Sequence, residues 1–346
     1  MRCEEFRSAR KFKHGLILLI MGIVLVLSAV SALAIGTTQI PPCLIAKLII
    51  FKIFGIRADW PGNYEVIIFN VRLPRIILSA LVGAVLGIAG CAMQGLFRNP
   101  MASPYVTGIA SSSAFGASLV IILGLGSAWI GPSAFLFSVS SAFLVYHLAK
   151  VKNTVPVGVL LLAGIAVSIF FSALVSFTQY VAGERELRQI VFWLMGGLWD
   201  GNWNKVFTVL PLAVFGSTGL LCFARDLNIL LTGEEEAKNL GVDVENVRRI
   251  VLVLSSLVTA TAVAACGIIG FVGLIIPHSM RILAGPDHRV LMPASFLGGA
   301  IFLVWTDTLA RTIITPSELP VGIITAILGV PFFLILLRGR KKQLGL

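Results

Sequence analysis

The sequence predicts an all-α polytopic membrane protein with about ten transmembrane helices. Of its 346 residues, 57% are hydrophobic and 12% are charged, and the mean hydropathy is +0.96. Ordinary soluble domains carry about 25% charged residues. Apolar runs long enough to cross a hydrocarbon core of ~30 Å follow one another along the chain. The loops between them are too short to fold separately, so we expect one membrane domain over residues 1–346.

Ten spans are predicted from length and apolar content. The clearest is the run from Ile76 to Phe97, which holds twenty-two residues without a charge. The spans are Gly15 to Ile35, Pro74 to Leu96, Thr107 to Gly124, Gly131 to Ala149, Gly158 to Val181, Val206 to Ala224, Ile250 to Cys266, Ile268 to Leu283, Val290 to Ala310 and Val321 to Leu337. Between the seventh and the eighth, only a Gly-rich turn separates the two runs.

The distribution of basic residues predicts the orientation of these spans. Ten spans place both termini on one side, and with the N-terminus inside, eighteen of the 27 Lys and Arg residues face the cytoplasm and nine face outwards. This excess satisfies the positive-inside rule. We therefore expect residues 1–14, residues 225–249 and the C-terminus in the cytoplasm of a cell-membrane protein. The net charge of +11 follows from topology and attraction to anionic lipid, and does not indicate a nucleic-acid partner.

The N-terminal run and the cysteines argue against two other interpretations. A basic start precedes an apolar run that ends in Ala32-Leu33-Ala34, which is also the pattern of a secretory signal. This run is longer than the usual signal core of roughly 7 to 15 residues, so an uncleaved first helix is favoured. The five cysteines include no CxxC pair and predict neither a disulfide framework nor a metal cluster.

The chain lacks the common signatures of catalysis. It has no G-x-x-x-x-G-K-[ST] phosphate loop, no G-x-S-x-G elbow and no H-E-x-x-H pair. Ionisable residues inside spans are scarce. Asp307, four residues before Arg311, favours an intrahelical ion pair over a coupling-ion site. His278 favours a hydrogen-bonded packing residue over a haem or metal ligand. We therefore expect no enzymatic activity.

Three arginines at the predicted outer ends of spans are the first candidate site. Arg72 and Arg75 lie at the outer mouth of the second span, and Arg311 lies at the outer end of the ninth. Outer cations run against the positive-inside bias, so a partner that carries carboxylates would give them a purpose. Snorkelling of the side chains to lipid headgroups is the alternative.

Two loops at the predicted inner end are the second candidate site. Pro100 disfavours helical geometry at Asn99, and Asn accepts turn geometry, so the second helix ends in a stiff loop that continues through Met101. Pro156 and Val157 occupy the next inner loop. Simple helix termination is the alternative for both loops.

The largest predicted inner loop contains one short amphipathic helix. The segment from Leu231 to Gly241 places three glutamates at the N-terminal end of the helix dipole, and Gly241 suits a left-handed cap. A solvated loop is the alternative. Farther on, Gly267, Gly270 and Gly273 predict close helix approach, and Pro277 is tolerated if neighbouring helices compensate.

The segment from Glu184 to Lys205 carries three of the six tryptophans, at positions 193, 199 and 203. They suit an interfacial aromatic belt or a short helix beside a pore.

In their order from Arg72 to Leu337, these motifs resemble the FecCD-type permeases, the membrane subunits of ABC importers for iron chelates, haem and vitamin B12. The resemblance implies a vitamin B12 permease-like fold working as a homodimer around a central pore. It also implies roles for three groups of residues. Docking of a soluble binding protein falls to Arg72, Arg75 and Arg311, the cytoplasmic gate to Asn99, Pro100, Met101, Pro156 and Val157, and ATPase coupling to Gly233, Glu234, Glu235, Ala237, Leu240 and Gly241.

The resemblance also implies the partners and the energy source. We expect an ATPase dimer that binds ATP-Mg inside and a substrate-binding protein outside, while this chain binds no cofactor and no metal. The cargo classes implied are ferric siderophore, cobalamin and haem, with a metal oxyanion less favoured. The alternative function is an ion-coupled secondary transporter or channel, which would need no ATPase.

Overall fold

The computed structural model describes residues 2–36, 38, 40–54, 63–152, 154–314 and 316–343. Within these residues, seven helices are long and apolar enough to cross a membrane, and three shorter apolar helices accompany them. Together they confirm the predicted all-helical architecture. The only pairing of extended backbone in the described part of the chain is a single bridge between Val151 and Thr154.

Fifteen α-helices follow one another within the described residues. They are α1 (Arg2–Ala34), α2 (Pro42–Phe54), α3 (Asn63–Val66), α4 (Leu73–Leu96), α5 (Ile109–Ile122), α6 (Ile130–Ala149), α7 (Val157–Val181), α8 (Glu184–Leu194), α9 (Trp203–Cys222), α10 (Ala224–Leu230), α11 (Glu234–Asn239), α12 (Val244–Cys266), α13 (Val272–Ala284), α14 (His288–Ala310) and α15 (Val321–Gln343). A π-helical turn, Ile67–Arg72, joins α3 to α4, and a 3-10 turn, Pro104–Thr107, precedes α5.

The structure corrects the predicted start of the second span. Helical backbone runs without a break through Tyr64–Leu96, 33 residues, so Arg72 and Arg75 lie inside a long helix rather than at its end. Pro74 does not stop the helix because it follows the π-helical turn, and local π adjustments can satisfy the backbone groups that a proline frees within a membrane helix. The helix α2 was not predicted.

The core of the protein is α4, which packs most extensively on α14 and also contacts α9, α12 and α13. Nearly every residue of α4 from Val82 onwards is buried. Glycines bring the backbones of α4 and α14 into contact: a Cβ atom on Gly299 would lie 2.1 Å from the carbonyl oxygen of Gly83. Such small-residue crossings are the usual means of tight packing between membrane helices.

A non-helical break separates α12 from α13. It begins at Gly267 (φ 70°) and ends at Phe271 (φ 67°), two residues in positive-φ geometry. The predicted eighth span therefore starts at Val272, four residues later than expected. Close approach is found at Gly267, where a Cβ atom would lie 2.3 Å from the Trp193 carbonyl, but Gly270 faces open space and its predicted packing role is wrong.

Candidate functional site

Two charged clusters lie near opposite ends of α4. We call the first the arginine cluster; it contains Arg72, Arg75, Asp307, Arg311 and Glu318. The second contains Arg98, Glu234, Glu245 and Arg248 and adjoins the loop after α4. The 24 residues of α4 separate the two ends by roughly 36 Å at ~1.5 Å rise per residue.

The arginine cluster is built around one buried ion pair between α4 and α14. Arg75 is 6% exposed and Asp307 is 1% exposed. The Arg75 guanidinium donates from Nη2 to Asp307 Oδ1 at 2.8 Å and from Nε to Oδ2 at 3.0 Å. Its Nη1 donates to Glu318 Oε2 at 2.8 Å. This fork geometry gives strong, orientation-specific hydrogen bonds.

The predicted pair between Asp307 and Arg311 is only a secondary contact. Arg311 Nε lies 4.0 Å from Asp307 Oδ2, whereas Arg75 makes the short bonds. The alternative that Asp307 binds a coupling ion is disfavoured, because the Arg75 guanidinium already donates hydrogen bonds to both oxygens of its carboxylate. Burial lowers the pKa of Arg311 to about 10, so this arginine stays charged at neutral pH.

Arg72 and Arg311 bind the C-terminal end of α1. Arg72 Nη1 donates to the carbonyl of Leu33 at 2.6 Å, and Arg311 Nη2 donates to the carbonyl of Ala32 at 2.7 Å. A second Arg72 nitrogen donates to the Thr38 carbonyl. The last carbonyls of a helix lack partners within the helix and carry its negative dipole end, so two cations there stabilise α1. The guanidinium groups of Arg72 and Arg311 therefore bind backbone carbonyls of α1 and do not extend to lipid headgroups.

The structure thus brings the three predicted docking arginines together but buries all of them, at 5–6% exposure. The carboxylate of Glu318, whose side chain is 35% exposed, is the most open charge of the cluster. The docking role of the arginines stays a prediction.

The loop after α4 adopts the predicted stiff turn. Asn99 Oδ1 accepts the N–H of Met101 at 3.0 Å, and the Asn99 carbonyl accepts the N–H of Ala102 at 3.0 Å. Arg98 takes a positive φ of 48°, and Pro100 is half-buried within the turn. These bonds fix the loop at the point where α4 ends.

Side chains of α12 hold the second predicted loop, which precedes α7. Pro156 caps the start of α7 in extended geometry, and Val157 is its first residue. Between them and α12, the backbone of Val155 donates from N to Glu245 Oε2 at 3.1 Å and accepts from Arg248 Nη1 at 2.9 Å.

The predicted amphipathic segment forms α11, shorter than expected. Gly233 (φ 135°) precedes it and Gly241 (φ 83°) adopts the predicted positive-φ cap. Ala237 is completely buried, whereas Leu240 is 66% exposed. Glu235 is also exposed, and Glu234 turns towards α12.

Arg248 is the functional candidate that the sequence reasoning missed. Its side chain is 4% exposed and binds Glu234 of α11 at 2.6 Å, Glu245 at 2.8 Å and the Val155 carbonyl. The i,i+3 spacing of Glu245 and Arg248 was a local signal for half of this network. No local pattern indicates the contact with Glu234.

His278 and Trp203, two further residues that the sequence singled out, both contact other parts of the chain. The ring of His278 packs edge-on against Phe332, with centroids 6.2 Å apart. Trp203 donates from Nε1 to the carbonyl of Phe69 at 2.9 Å, and α8 supplies the short helix considered for the Trp-rich segment.

Comparison with known proteins decides the family. The family model described as "FecCD transport family" matches residues 22–339. The chain belongs to the FecCD transport family. It is therefore the permease subunit of an ABC importer and not itself an ATPase.

Individual relatives agree with this family. Over 284 residues the chain is 49% identical to the cobalamin import system permease protein BtuC of Halobacterium salinarum, covering 82% of this chain and 76% of that protein. It is 40% identical to the hemin transport system permease protein HmuU of Yersinia pestis, covering 80% and 84%. A solved metal-chelate type ABC transporter in an inward-facing conformation matches with a TM-score of 0.83 and 36% identity, covering 93% of this chain and 99% of that one.

Proposed function

We propose that this FecCD-family permease carries an intact chelate, a cobalamin, haem or ferric siderophore, from a soluble binding protein into the cytoplasm. The observation that carries the proposal is the family match over residues 22–339. Within that length the arginine cluster lies at one end of α4, and α11, the segment to which we assign ATPase coupling, lies beyond the other end. The permease works as a homodimer in the cell membrane, with α11 and both termini in the cytoplasm.

Passage of an intact chelate is compatible with the potential metal-ligating side chains found in the described residues. Among the residues that the structure describes, no three His, Cys, Asp or Glu side chains lie together as potential metal ligands. A cargo that keeps its own metal ligands needs none from the pore. Selectivity then depends on the binding protein and the shape of the pore.

Uptake into vesicles tests this function. The permease, its ATPase and its binding protein are reconstituted with ATP and Mg²⁺ enclosed, and labelled cyanocobalamin, haem and a ferric hydroxamate are added outside. We expect one chelate to accumulate with ATP and not with ADP. The absence of ATP-dependent accumulation for all three would contradict the proposed cargo class.

ATP-driven movement enters the permease through α11. Three features support this role. Leu240 is an exposed apolar residue, and Glu235 is an exposed charged residue, so both are available to a partner. Ala237 is buried and packs α11 against the rest of the permease. An exposed apolar residue beside charged ones is the usual composition of a docking site. The gate consists of the loops at Asn99–Met101 and at Pro156 and Val157.

The binding protein docks at the arginine cluster. This cluster holds three guanidinium groups against two carboxylates, so it keeps one net positive charge. Of the two carboxylates that bind Arg75, that of Glu318 is the accessible one. A carboxylate of the binding protein would replace it. Docking would then exchange an internal ion pair for one between two proteins.

Removing the internal competitor is predicted to tighten docking. Glu318→Gln abolishes the charge that occupies Arg75 Nη1, in a pair whose side chains are 8% and 35% exposed, and we assign this pair about 1 kcal/mol, the upper end of the range for surface ion pairs. We expect about fivefold higher affinity for the binding protein, measured with the permease complex in nanodiscs. Glu65→Gln, at the exposed pair with Lys52, is the matched control and leaves the affinity unchanged. Equal or weaker binding by Glu318→Gln would argue against docking through Arg75.

A further inference from the structure

Arg248 joins three segments that are far apart in the sequence. Its Nη2 donates to Glu234 of α11 at 2.6 Å, and its Nη1 donates both to Glu245 of α12 at 2.8 Å and to the Val155 carbonyl at 2.9 Å. Glu245 completes a closed ring because its second oxygen accepts the Val155 N–H at 3.1 Å. One guanidinium therefore fixes α11 and the loop before α7 to the same turn of α12.

The same network reaches the loop after α4. Glu234 Oε1, which binds Arg248, lies 4.0 Å from Arg98 Nη2. Arg98 directly precedes Asn99 and takes a positive φ, so its backbone is part of the turn. Both loops of the proposed gate are thus linked to α11 through the Glu234 carboxylate, one by way of Arg98 and the other by way of Arg248.

Burial makes this link stiff. The side chain of Arg248 is 4% exposed, whereas those of its partners Glu234 and Glu245 are 37% and 28% exposed. A buried guanidinium that loses a carboxylate partner cannot replace it with water without cost. Movement of Glu234 with α11 therefore pulls Arg248 and, through it, Val155.

We propose that Arg248 is the positioning residue that transmits movement of α11 to the loop before α7, while Glu234 itself links α11 to the loop after α4. This inference rests on the proposed function, in which an ATPase moves α11. Arg248 does not touch cargo or nucleotide. Its role is to make the coupling segment and the loop before α7 move as one body.

The test measures coupling separately from assembly. Arg248→Met and Glu234→Gln are each combined with the ATPase and the binding protein in vesicles. Three quantities are measured: co-purification of the ATPase, basal ATP hydrolysis and cargo taken up per ATP hydrolysed. The cargo probe is whichever of cyanocobalamin, haem and a ferric hydroxamate the wild-type complex accumulates. Arg289→Met, an exposed arginine outside this network, is the matched control.

We expect Arg248→Met to assemble and to hydrolyse ATP within about twofold of the wild-type rate, while uptake per ATP falls at least tenfold. Glu234→Gln changes a residue of the coupling segment itself, and for this variant we expect only that uptake per ATP falls. The effect of the double variant should be smaller than the two single effects combined, because both variants break the contact between Glu234 and Arg248. Arg248→Lys, which cannot hold three partners with a planar fork, should recover only part of the ratio.

A normal ratio of uptake to hydrolysis in Arg248→Met would overturn the inference. If that variant does not fold, Glu234→Gln decides, since its partly exposed side chain can be hydrated, and a normal ratio there has the same meaning. A wild-type chain that binds no ATPase would instead refute the proposed function. The two failures are therefore distinguishable.

Discussion

Arg75→Met is expected to lower the free energy of unfolding by about 3–5 kcal/mol, the range for breaking a buried ion pair from one side. The substitution keeps an unbranched, though shorter, side chain and removes every short hydrogen bond to Asp307, which is 1% exposed. The remaining cation, Arg311, is 4.0 Å from that carboxylate. Thermal unfolding of the detergent-solubilised protein measures the effect.

Two controls separate this effect from loss of a charge in general. Lys52→Met removes a cation from the exposed pair with Glu65, where the two side chains are 59% and 47% exposed, and should cost less than about 1 kcal/mol. Arg75→Lys keeps the charge without the fork and should fall between the other two variants. If Arg75→Met unfolds at the wild-type temperature, the buried pair does not hold α4 to α14.

Gly299→Ala is the second large effect, with an expected loss of about 3 kcal/mol, near the upper end of the range for overpacking. The added methyl group would lie 2.1 Å from the carbonyl oxygen of Gly83, and backbone atoms cannot rotate away as a side chain can. The helices must separate, and Arg75 and Asp307 lie on this same pair of helices. We therefore expect a lower unfolding temperature together with weaker binding-protein docking.

The matched control is the same substitution in open surroundings. Gly22 lies in α1 with no atom within 4 Å of an added Cβ. Gly22→Ala should leave stability unchanged or raise it by up to about 1 kcal/mol, because Ala is the better helix former. Equal unfolding temperatures for the two variants would show that α4 and α14 do not cross at this distance.

Features governed by local sequence could be predicted. The ten apolar runs indicated the helices, and the Glu-rich start and Gly241 indicated the short helix α11 and its cap. The turn at Asn99 followed from Pro100 and from the side-chain chemistry of Asn. Each of these depends on residues a few positions apart.

Features governed by packing between distant segments could not be predicted. Arg75 and Asp307 are 232 positions apart, so only the crossing of α4 and α14 shows that they pair. The nearer Arg311 gave a plausible partner for Asp307 that the fold does not favour. Likewise, Glu234 reaches Arg248 only because α11 folds back on α12.

The helix before α4 could not be predicted for a different reason. Pro74 and the charges at Arg72 and Arg75 are the usual signs of a helix boundary. The chain remains helical there because a π turn bridges the two parts and because the arginines are neutralised by Asp307, Glu318 and the end of α1. Partners from elsewhere in the chain override the local signal.

The most direct test of the central claim is the set of proteins that purify with this chain. The tagged permease is extracted from its native membrane in mild detergent, and its stoichiometric partners are identified by mass spectrometry. We predict a phosphate-loop ATPase at one copy per permease, lost when residues 235–240 are scrambled and retained in Arg289→Met. A chain that purifies alone and still transports in ATP-free vesicles would contradict the account.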